Sequence, residues 1–186
     1  NTWAGKFAQH IALSFSEASS FFPKEKIAMT GNPVRKVLMT PSREGAHEFL
    51  KLEASVPVIL VLGGSQGAQA LNEAIVESLP LLLPKYQVIH QTGDKNFAEV
   101  TATARITNEK SEYAHRYHPY AYLNELALRM SAGVATLIIS RAGSSIFEFA
   151  LWGIPSILVP LPKEVAAEDH QSKNAFAYAR GGGAIV

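Results

Sequence analysis

The chain has 186 residues, of which 47% are hydrophobic and 18% charged, and its formal net charge is +1. This length allows one buried core and, beside it, a fragment of a second domain. A charge this close to zero argues against a nucleic-acid-binding surface. The sequence contains no cysteine, which excludes disulfides and thiolate metal sites. No apolar run reaches the roughly 20 residues that a membrane-spanning helix needs.

Residues 1–31 form a short lead-in that predicts a strand at 11–15, a helical turn at 17–22 and a strand at 26–30. The segment Gly31-Asn32-Pro33-Val34-Arg35 then interrupts the pattern, because Pro33 forces Asn32 into an extended conformation. We therefore predict a domain boundary here, with residues 32–186 as the main domain. The chain begins without Met and ends as a strand starts, so we expect it to be a piece of a longer protein.

Strands and helices alternate through the rest of the chain. Buried strands are predicted at 58–62, 86–91, 136–140 and 156–159, and helices at 42–51, 95–104, 124–132, 146–152 and 169–180. A further helix starts near Gly67 and is ended by Pro80 and Pro84, and Gly153 with Pro155 ends the helix at 146–152. This order predicts an α/β fold, a Rossmann-like doubly wound parallel sheet. Right-handed crossovers then bring the loops at 63–67, 91–94, 141–145 and 160–169 to one cleft at the carboxyl edge of the sheet.

The stretch at residues 57–72 organises the rest. An apolar run is followed by Gly63-Gly64-Ser65-Gln66-Gly67 and then by a helical apolar pattern. A glycine turn before a helix N-terminus is a natural seat for phosphate, although a tight turn without a ligand remains an alternative. The motif is neither the dinucleotide fingerprint nor a P-loop.

Several further residues are candidates for structural or functional roles. Ser42 and Asn124 are predicted N-caps. Glu148 fits a capping box with Ser145, which its spacing favours, or a carboxylate that accepts hydrogen bonds from sugar hydroxyls. His90 is expected to be a packed core histidine, and His115 with His118 is the only weak metal-ligand pairing. Because the sequence has no Asp-x-Asp pair, we expect neither a metal nor another cofactor.

Taken in order, these motifs resemble the MurG family of bacterial glycosyltransferases. The resemblance is carried by Gly31-Asn32-Pro33-Val34-Arg35, Gly63-Gly64-Ser65-Gln66-Gly67-Ala68, Ser140-Arg141-Ala142-Gly143, Gly153-Ile154-Pro155, Leu158-Val159-Pro160 and Asp169-His170-Gln171 with Asn174-Ala175. It covers almost the whole chain and is weakest at residues 95–120. The family transfers N-acetylglucosamine from UDP-N-acetylglucosamine to lipid I, forming lipid II for peptidoglycan and cell wall synthesis.

The resemblance implies one half of a GT-B fold. Residues 1–31 would be the end of the amino-terminal, acceptor domain, and residues 32–186 the carboxyl-terminal, donor-binding domain, truncated at its end. The catalytic base is expected in the amino-terminal domain, so we expect the fragment alone to be inactive in this inverting transfer. The rival interpretations are another GT-B enzyme, such as a glycolipid synthase or a UDP-sugar epimerase, and a nucleotide-binding module without catalysis.

Carried over residue by residue, the resemblance assigns the donor contacts. These are Arg35, Ser65, Leu123, Ser144, Ser145, Glu148 and Gln171, with Gly63, Gly64, Gln66 and Gly67 in the phosphate loop. Ser65 would serve the diphosphate, the backbone of Leu123 the uracil, Glu148 the ribose and Gln171 the N-acetylglucosamine. The loop from Arg141 to Glu148 is often one residue longer in the family, which allows two alignments of Ser144 and Ser145 that differ by one position. The resemblance also implies peripheral association with the cytoplasmic face of the bacterial membrane and no nucleic-acid partner.

Overall fold

The computed structural model describes residues 2–63, 68–160 and 170–186, and it divides into two compact units, Asn1–Arg35 and Lys36–Val186. In the first unit, helix α1 (Thr2–Phe7) precedes two short parallel strands, β1 (Ile11–Leu13) and β2 (Ile27–Met29). A 3₁₀ helix at Ser16–Phe21 lies between these strands. Both strands fall within the predicted segments.

The second unit is built on a six-stranded parallel sheet. Its strands are β3 (Val58–Leu62), β4 (Gln87–Gln91), β5 (Tyr117–Tyr120), β6 (Ala135–Ser140), β7 (Ser156–Leu158) and β8 (Ala184–Ile185). They lie in the order β5-β4-β3-β6-β7-β8, and every neighbouring pair is parallel. The predicted parallel α/β fold is thereby confirmed. Strand β5 contains Pro119, which a ladder tolerates here because β5 lies at the edge of the sheet.

Helices connect successive strands, as the alternating pattern predicts. They are α2 (Ala46–Phe49), α3 (Gln69–Leu82), α4 (Phe97–Thr107), α5 (Glu125–Val134), α6 (Ile146–Trp152) and α7 (His170–Arg180). The predicted bounds of α6 are exact. Among the described residues, none of the helices is both long and apolar enough to cross a bilayer.

The central strand β3 is buried on both faces, as its unbroken apolar run predicts. Ile59 and Val61 share a core cluster with Leu71 and Ile75 of α3. Leu60 points to the opposite face, since side chains alternate along a strand, and it too is fully buried. Strand β3, which leads to this edge of the sheet, is therefore fixed by packed side chains on both of its faces.

Two predicted helix boundaries are wrong. Helix α2, predicted at 42–51, begins at Ala46 after Gly45, which has φ 68°, and Ser42 does not cap it. The backbone N–H of Ser42 instead donates to the carbonyl of Arg129 in α5 at 3.0 Å. Pro80 does not end α3, which continues to Leu82. Pro80 has no N–H, so the last turn of α3 lacks one hydrogen bond. The packing of residues 79 and 83, both completely buried, stabilises this turn by more than the missing bond costs.

Candidate functional site at the carboxyl edge of the sheet

The chain reverses its direction of travel across the sheet between β3 and β6. It moves outward from β3 to β4 and β5, then returns to β6 on the other side of β3 and continues to β7 and β8. In an open parallel sheet, the loops that leave such a switch point diverge and open a crevice where ligands bind. The loops that begin at Gly63 and Arg141 flank this point, in agreement with the predicted cleft.

Gly63, the residue that follows β3, is closely packed. Gly63 is buried, and its N–H donates to the carbonyl of Gln91 at 3.3 Å. A Cβ at this position would lie 3.3 Å from both that carbonyl oxygen and the backbone nitrogen of Ala68, so the site favours glycine. The predicted phosphate-loop residues Gly64, Ser65, Gln66 and Gly67 lie outside the described residues.

Helix α3 follows the glycine-rich segment in the sequence. Its first residue is Gln69, and Ala68 before it has no side-chain group that could cap the helix. The start of α3 at the carboxyl edge therefore presents backbone N–H groups and the positive end of a helix dipole. Both features suit a diphosphate.

The loop after β6 and the first turn of α6 contain three of the predicted donor contacts. Ser140 anchors it, since its Oγ donates to the carbonyl of Leu62 at 2.8 Å. Ser144 is exposed, Ser145 is partly buried, and Glu148 in the first turn of α6 is 8% exposed. A buried carboxylate beside the switch point can accept hydrogen bonds from hydroxyl groups.

The capping box predicted for Ser145 and Glu148 is wrong. Ser145 has helical backbone angles (φ −61°, ψ −18°), and its side chain makes no cap hydrogen bond. The N–H of Glu148 donates to the backbone carbonyl of Ser145 at 2.9 Å. A capping side chain needs an extended backbone at its own residue, which Ser145 does not have.

The side chains of Arg141 and Gln171 form a hydrogen bond at the carboxyl edge of the sheet. The Nε–H of Arg141 donates to Oε1 of Gln171, in the first turn of α7, at 3.2 Å. Partial burial lowers the pKa of the Arg141 guanidinium, which keeps its charge at neutral pH. Gln171 was predicted from the sequence, whereas Arg141 was not. Asp169 lies outside the described residues.

Gln91 and Leu123 meet on the other side of β3. The N–H of Leu123 donates to Oε1 of Gln91 at 2.9 Å, and both residues are buried. The backbone N–H of Leu123 is thus occupied, which leaves its carbonyl as the backbone group for a nucleobase contact. Arg35, another of the predicted donor contacts, is the last residue of the first unit.

Behind the edge, His90 is a buried core histidine, as predicted. Its Nε2 lies 3.0 Å from Oδ1 of Asn72, and its Nδ1 lies 2.9 Å from the hydroxyl of Tyr117. Because Asn72 Nδ2 donates to the carbonyl of Thr92, its Oδ1 faces the ring, so Nε2 of His90 carries the proton. Burial lowers the pKa of His90 to about 4, so the ring is neutral.

His115, one of the two histidines of the weak metal-ligand pairing, contacts a carboxylate. His115 Nε2 lies 2.9 Å from a carboxylate oxygen of Glu53, which also accepts two hydrogen bonds from Arg116. The hydrogen bond from Arg116 holds the pKa of Glu53 below its usual value. No group of three potential ligands that could hold a metal occurs in the part of the chain that the structure describes.

Comparison with known proteins identifies the family. The Glycosyltransferase family 28 C-terminal domain matches residues 58–186, which is the whole six-stranded sheet. The chain belongs to glycosyltransferase family 28. Within this family it represents the carboxyl-terminal domain, one half of a GT-B architecture, as the motif order predicts.

Relatives of this family 28 chain have one name in common. The UDP-N-acetylglucosamine--N-acetylmuramyl-(pentapeptide) pyrophosphoryl-undecaprenol N-acetylglucosamine transferase 2 of Bacillus cereus is 37% identical over 187 residues, covering 100% of this chain and 50% of that protein. The transferase of that name from Treponema denticola is 35% identical, covering 97% of this chain and 47% of the relative. The chain therefore spans about half the length of these relatives.

Solved structures agree with this assignment. The crystal structure of Acinetobacter baumannii MurG superposes with a TM-score of 0.65 and 25% identity, over 99% of this chain and 48% of MurG. A UDP-GlcNAc 2-epimerase from Neisseria meningitidis, bound to UDP-GlcNAc, superposes with a TM-score of 0.59 over 93% of this chain and 48% of the epimerase. At 16% identity, the epimerase shows the shared fold alone.

Proposed function

We propose that this family 28 chain is the donor-binding half of a transferase that moves N-acetylglucosamine from UDP-N-acetylglucosamine to lipid I, forming lipid II. The observation that carries the proposal is the hydrogen bond between Arg141 and Gln171 beside the switch point, where Gly63 also follows the end of β3. The start of helix α3, which can bind an anion, and the side chain of Gln171, which can contact a sugar, would thus serve one site. The names of the relatives support the same donor and acceptor.

Each part of the donor has a candidate partner. The diphosphate would lie on the turn that begins at Gly63 and on the start of α3. Glu148 would bind the ribose hydroxyls, Leu123 the uracil and Gln171 the N-acetylglucosamine. The remaining proposed contacts are Arg35, Ser65, Ser144 and Ser145, with Gly64, Gln66 and Gly67 in the phosphate loop.

The proposed reaction is an inverting displacement. A hydroxyl of the acceptor attacks the anomeric carbon, the bond from that carbon to UDP breaks, and UDP leaves with the electron pair. A base contributed by the rest of the protein takes the hydroxyl proton, and a β-linkage results. The N–H groups and dipole at the start of α3 would stabilise the charge that develops on the leaving diphosphate.

The lipid acceptor and membrane contact belong to the complete protein in this proposal. It would associate peripherally with the cytoplasmic face of the bacterial membrane, because its acceptor is anchored there. Flotation with lipid vesicles tests this part, with the complete protein expected in the lipid fraction and the present chain outside it. Flotation of the present chain itself would contradict this division of roles.

Donor binding is tested by calorimetric titration of this chain with UDP-N-acetylglucosamine, UDP and UDP-glucose. We expect saturable binding that favours N-acetylglucosamine and weakens by about tenfold in Glu148→Ala, the loss typical of one or two hydrogen bonds. Glu77→Ala, an exposed glutamate on α3, is the matched control and should bind as the wild type does. A folded chain that binds no uridine nucleotide would refute the proposal.

The reaction itself is tested with the complete protein. Given UDP-N-acetylglucosamine and lipid I, it should form lipid II and release UDP in equal amounts. Formation of an epimerised UDP-sugar without an acceptor would support the epimerase instead. Nucleotide binding without turnover of any UDP-sugar would support a non-catalytic module.

A further inference from the structure

Gln91 occupies a position between two parts of the candidate site. It is the last residue of β4, the strand next to the central strand β3, and only 7% of it is exposed. Its backbone carbonyl accepts the N–H of Gly63, at the turn assigned to the diphosphate. Its side-chain Oε1 accepts the N–H of Leu123, in the segment assigned to the uracil. One residue therefore contacts both segments.

The segment at residues 120–123 begins with Tyr120, the last residue of edge strand β5, which pairs with β4 alone in the sheet that the structure describes. Besides the bond from Leu123, it accepts hydrogen bonds from the N–H of Thr92 to Tyr120 at 2.9 Å and from the N–H of Gly93 to Ala121 at 3.1 Å. These two bonds come from the backbone and persist whatever the side chains are. The bond to Leu123 is made by a side chain, so substitution at residue 91 can remove it alone.

We propose that Gln91 is a positioning residue for nucleobase recognition: it holds the backbone at Leu123 in register with the turn at Gly63, so that uracil is selected over cytosine. The inference rests on the proposed function, since it assumes that a uridine diphosphate occupies this edge. Uracil and cytosine present opposite hydrogen-bonding groups at N3 and at position 4 of the ring. Backbone atoms can distinguish these patterns only when they are held in place.

The chain offers a matched control on the same strand. Gln87, the first residue of β4, is also buried, and its side chain also bonds to backbone: Oε1 accepts the N–H of Glu53, and Nε2 donates to the carbonyls of Glu53 and Val56. It lies at the amino end of the strand, away from the candidate site. Gln87→Met therefore removes comparable side-chain bonds and reports their effect on stability alone.

The test is the ratio of UDP affinity to CDP affinity, measured by calorimetry, with thermal unfolding of every variant alongside. Gln91→Met fills the same volume without an acceptor amide, and we expect the ratio to fall by about tenfold, the equivalent of one lost buried hydrogen bond. Gln91→Glu keeps an oxygen for the N–H of Leu123 and should retain most of the ratio. Gln87→Met should leave the ratio unchanged.

The outcomes separate this inference from the proposed function. If the wild type binds neither nucleotide, the donor-binding function fails and the role of Gln91 with it. If the wild type binds UDP but the Gln91→Met ratio equals that of the wild type, or if UDP and CDP bind the wild type equally, donor binding stands and the role of Gln91 is refuted. Should Gln91→Met lose its unfolding transition, Gln91→Asn, whose amide is too short to reach Leu123, carries the same expectations.

Discussion

Arg141 and Gln171 lie 30 residues apart in the sequence and are joined by one hydrogen bond, 3.2 Å between Nε and Oε1. The bond links the loop after β6 to the first turn of α7. Arg141 is partly buried, so the contact is less exposed to water than an ordinary surface bond. It fixes the orientation of the Gln171 amide, since an Nε–H donor can be accepted only by the amide oxygen.

This contact predicts that breaking it weakens the binding of UDP-N-acetylglucosamine more than the binding of UDP. Arg141→Lys keeps the positive charge but removes the planar Nε–H donor. We expect it to weaken the binding of UDP-N-acetylglucosamine by about tenfold, with a smaller effect on UDP, because the amide of Gln171 loses its fixed orientation. Calorimetry with both ligands measures the difference. Arg180→Lys, at the other end of α7, is the control, and equal losses for both ligands in Arg141→Lys would contradict the role.

Close packing at Gly133 predicts a large stability effect. A Cβ at this position in α5 would overlap the backbone carbonyl of Ser42. Gly→Ala in a helix normally gains about 1 kcal/mol, but here the backbone would have to move. We expect Gly133→Ala to lower the free energy of unfolding by about 3 kcal/mol, measured by urea denaturation.

The control for Gly133 is Gly143→Ala. A Cβ at residue 143 would meet no atom of the described residues within 4 Å, so the unfolding free energy of this variant should change by less than about 0.5 kcal/mol. Equal effects at the two glycines would show that α5 does not pack against residue 42 as described.

His90 predicts how stability depends on pH. Its pKa is lowered to about 4 in the folded chain from a usual value of 6.5, because the ring is buried. The unfolded chain therefore binds a proton first as pH falls. Protonation of His90 therefore leaves the free energy of unfolding at its full value above pH 6.5. Between pH 6.5 and 4 it lowers the free energy of unfolding by roughly 3 kcal/mol in all.

Two measurements check this dependence. NMR titration of the His90 ring should show a neutral Nε2–H tautomer through pH 5. His90→Gln, which cannot titrate, should flatten the curve of unfolding free energy between pH 6.5 and 4. A ring that titrates near 6.5 in the folded chain would rule out the buried, neutral state.

The two residues before α5 and α6 predict different capping energies. Asn124 Oδ1 accepts the N–H of Ala127 at 2.9 Å, whereas Ser145 makes no side-chain cap. Asn124→Ala should cost about 1 kcal/mol of unfolding free energy, and Ser145→Ala less than about 0.5 kcal/mol. Urea denaturation of both variants in parallel measures the two changes in unfolding free energy. A comparable loss in Ser145→Ala would restore the capping box.

Local sequence signals predicted the fold well where the cause was local. The apolar run at residues 58–62, the cap at Asn124 and the left-handed Gly153 that ends α6 each depend on neighbouring residues alone, and all three predictions are confirmed. The predictions for Ser42, Pro80 and the Ser145 capping box are wrong for the opposite reason. In each case packing or backbone geometry from the folded unit overrode a short pattern.

For the candidate site, the sequence by itself determined which loops reach one sheet edge, because alternating strands and helices allow only right-handed crossovers. Its ordered motifs also indicated the family, and Gln171 and Glu148 as donor contacts, which remain proposals. Only the tertiary structure decided that Arg141 meets Gln171 and that Gln91 meets Leu123. Partners 30 and 32 residues apart leave no periodic signal, because their contact exists only after the sheet has set the strand order and register.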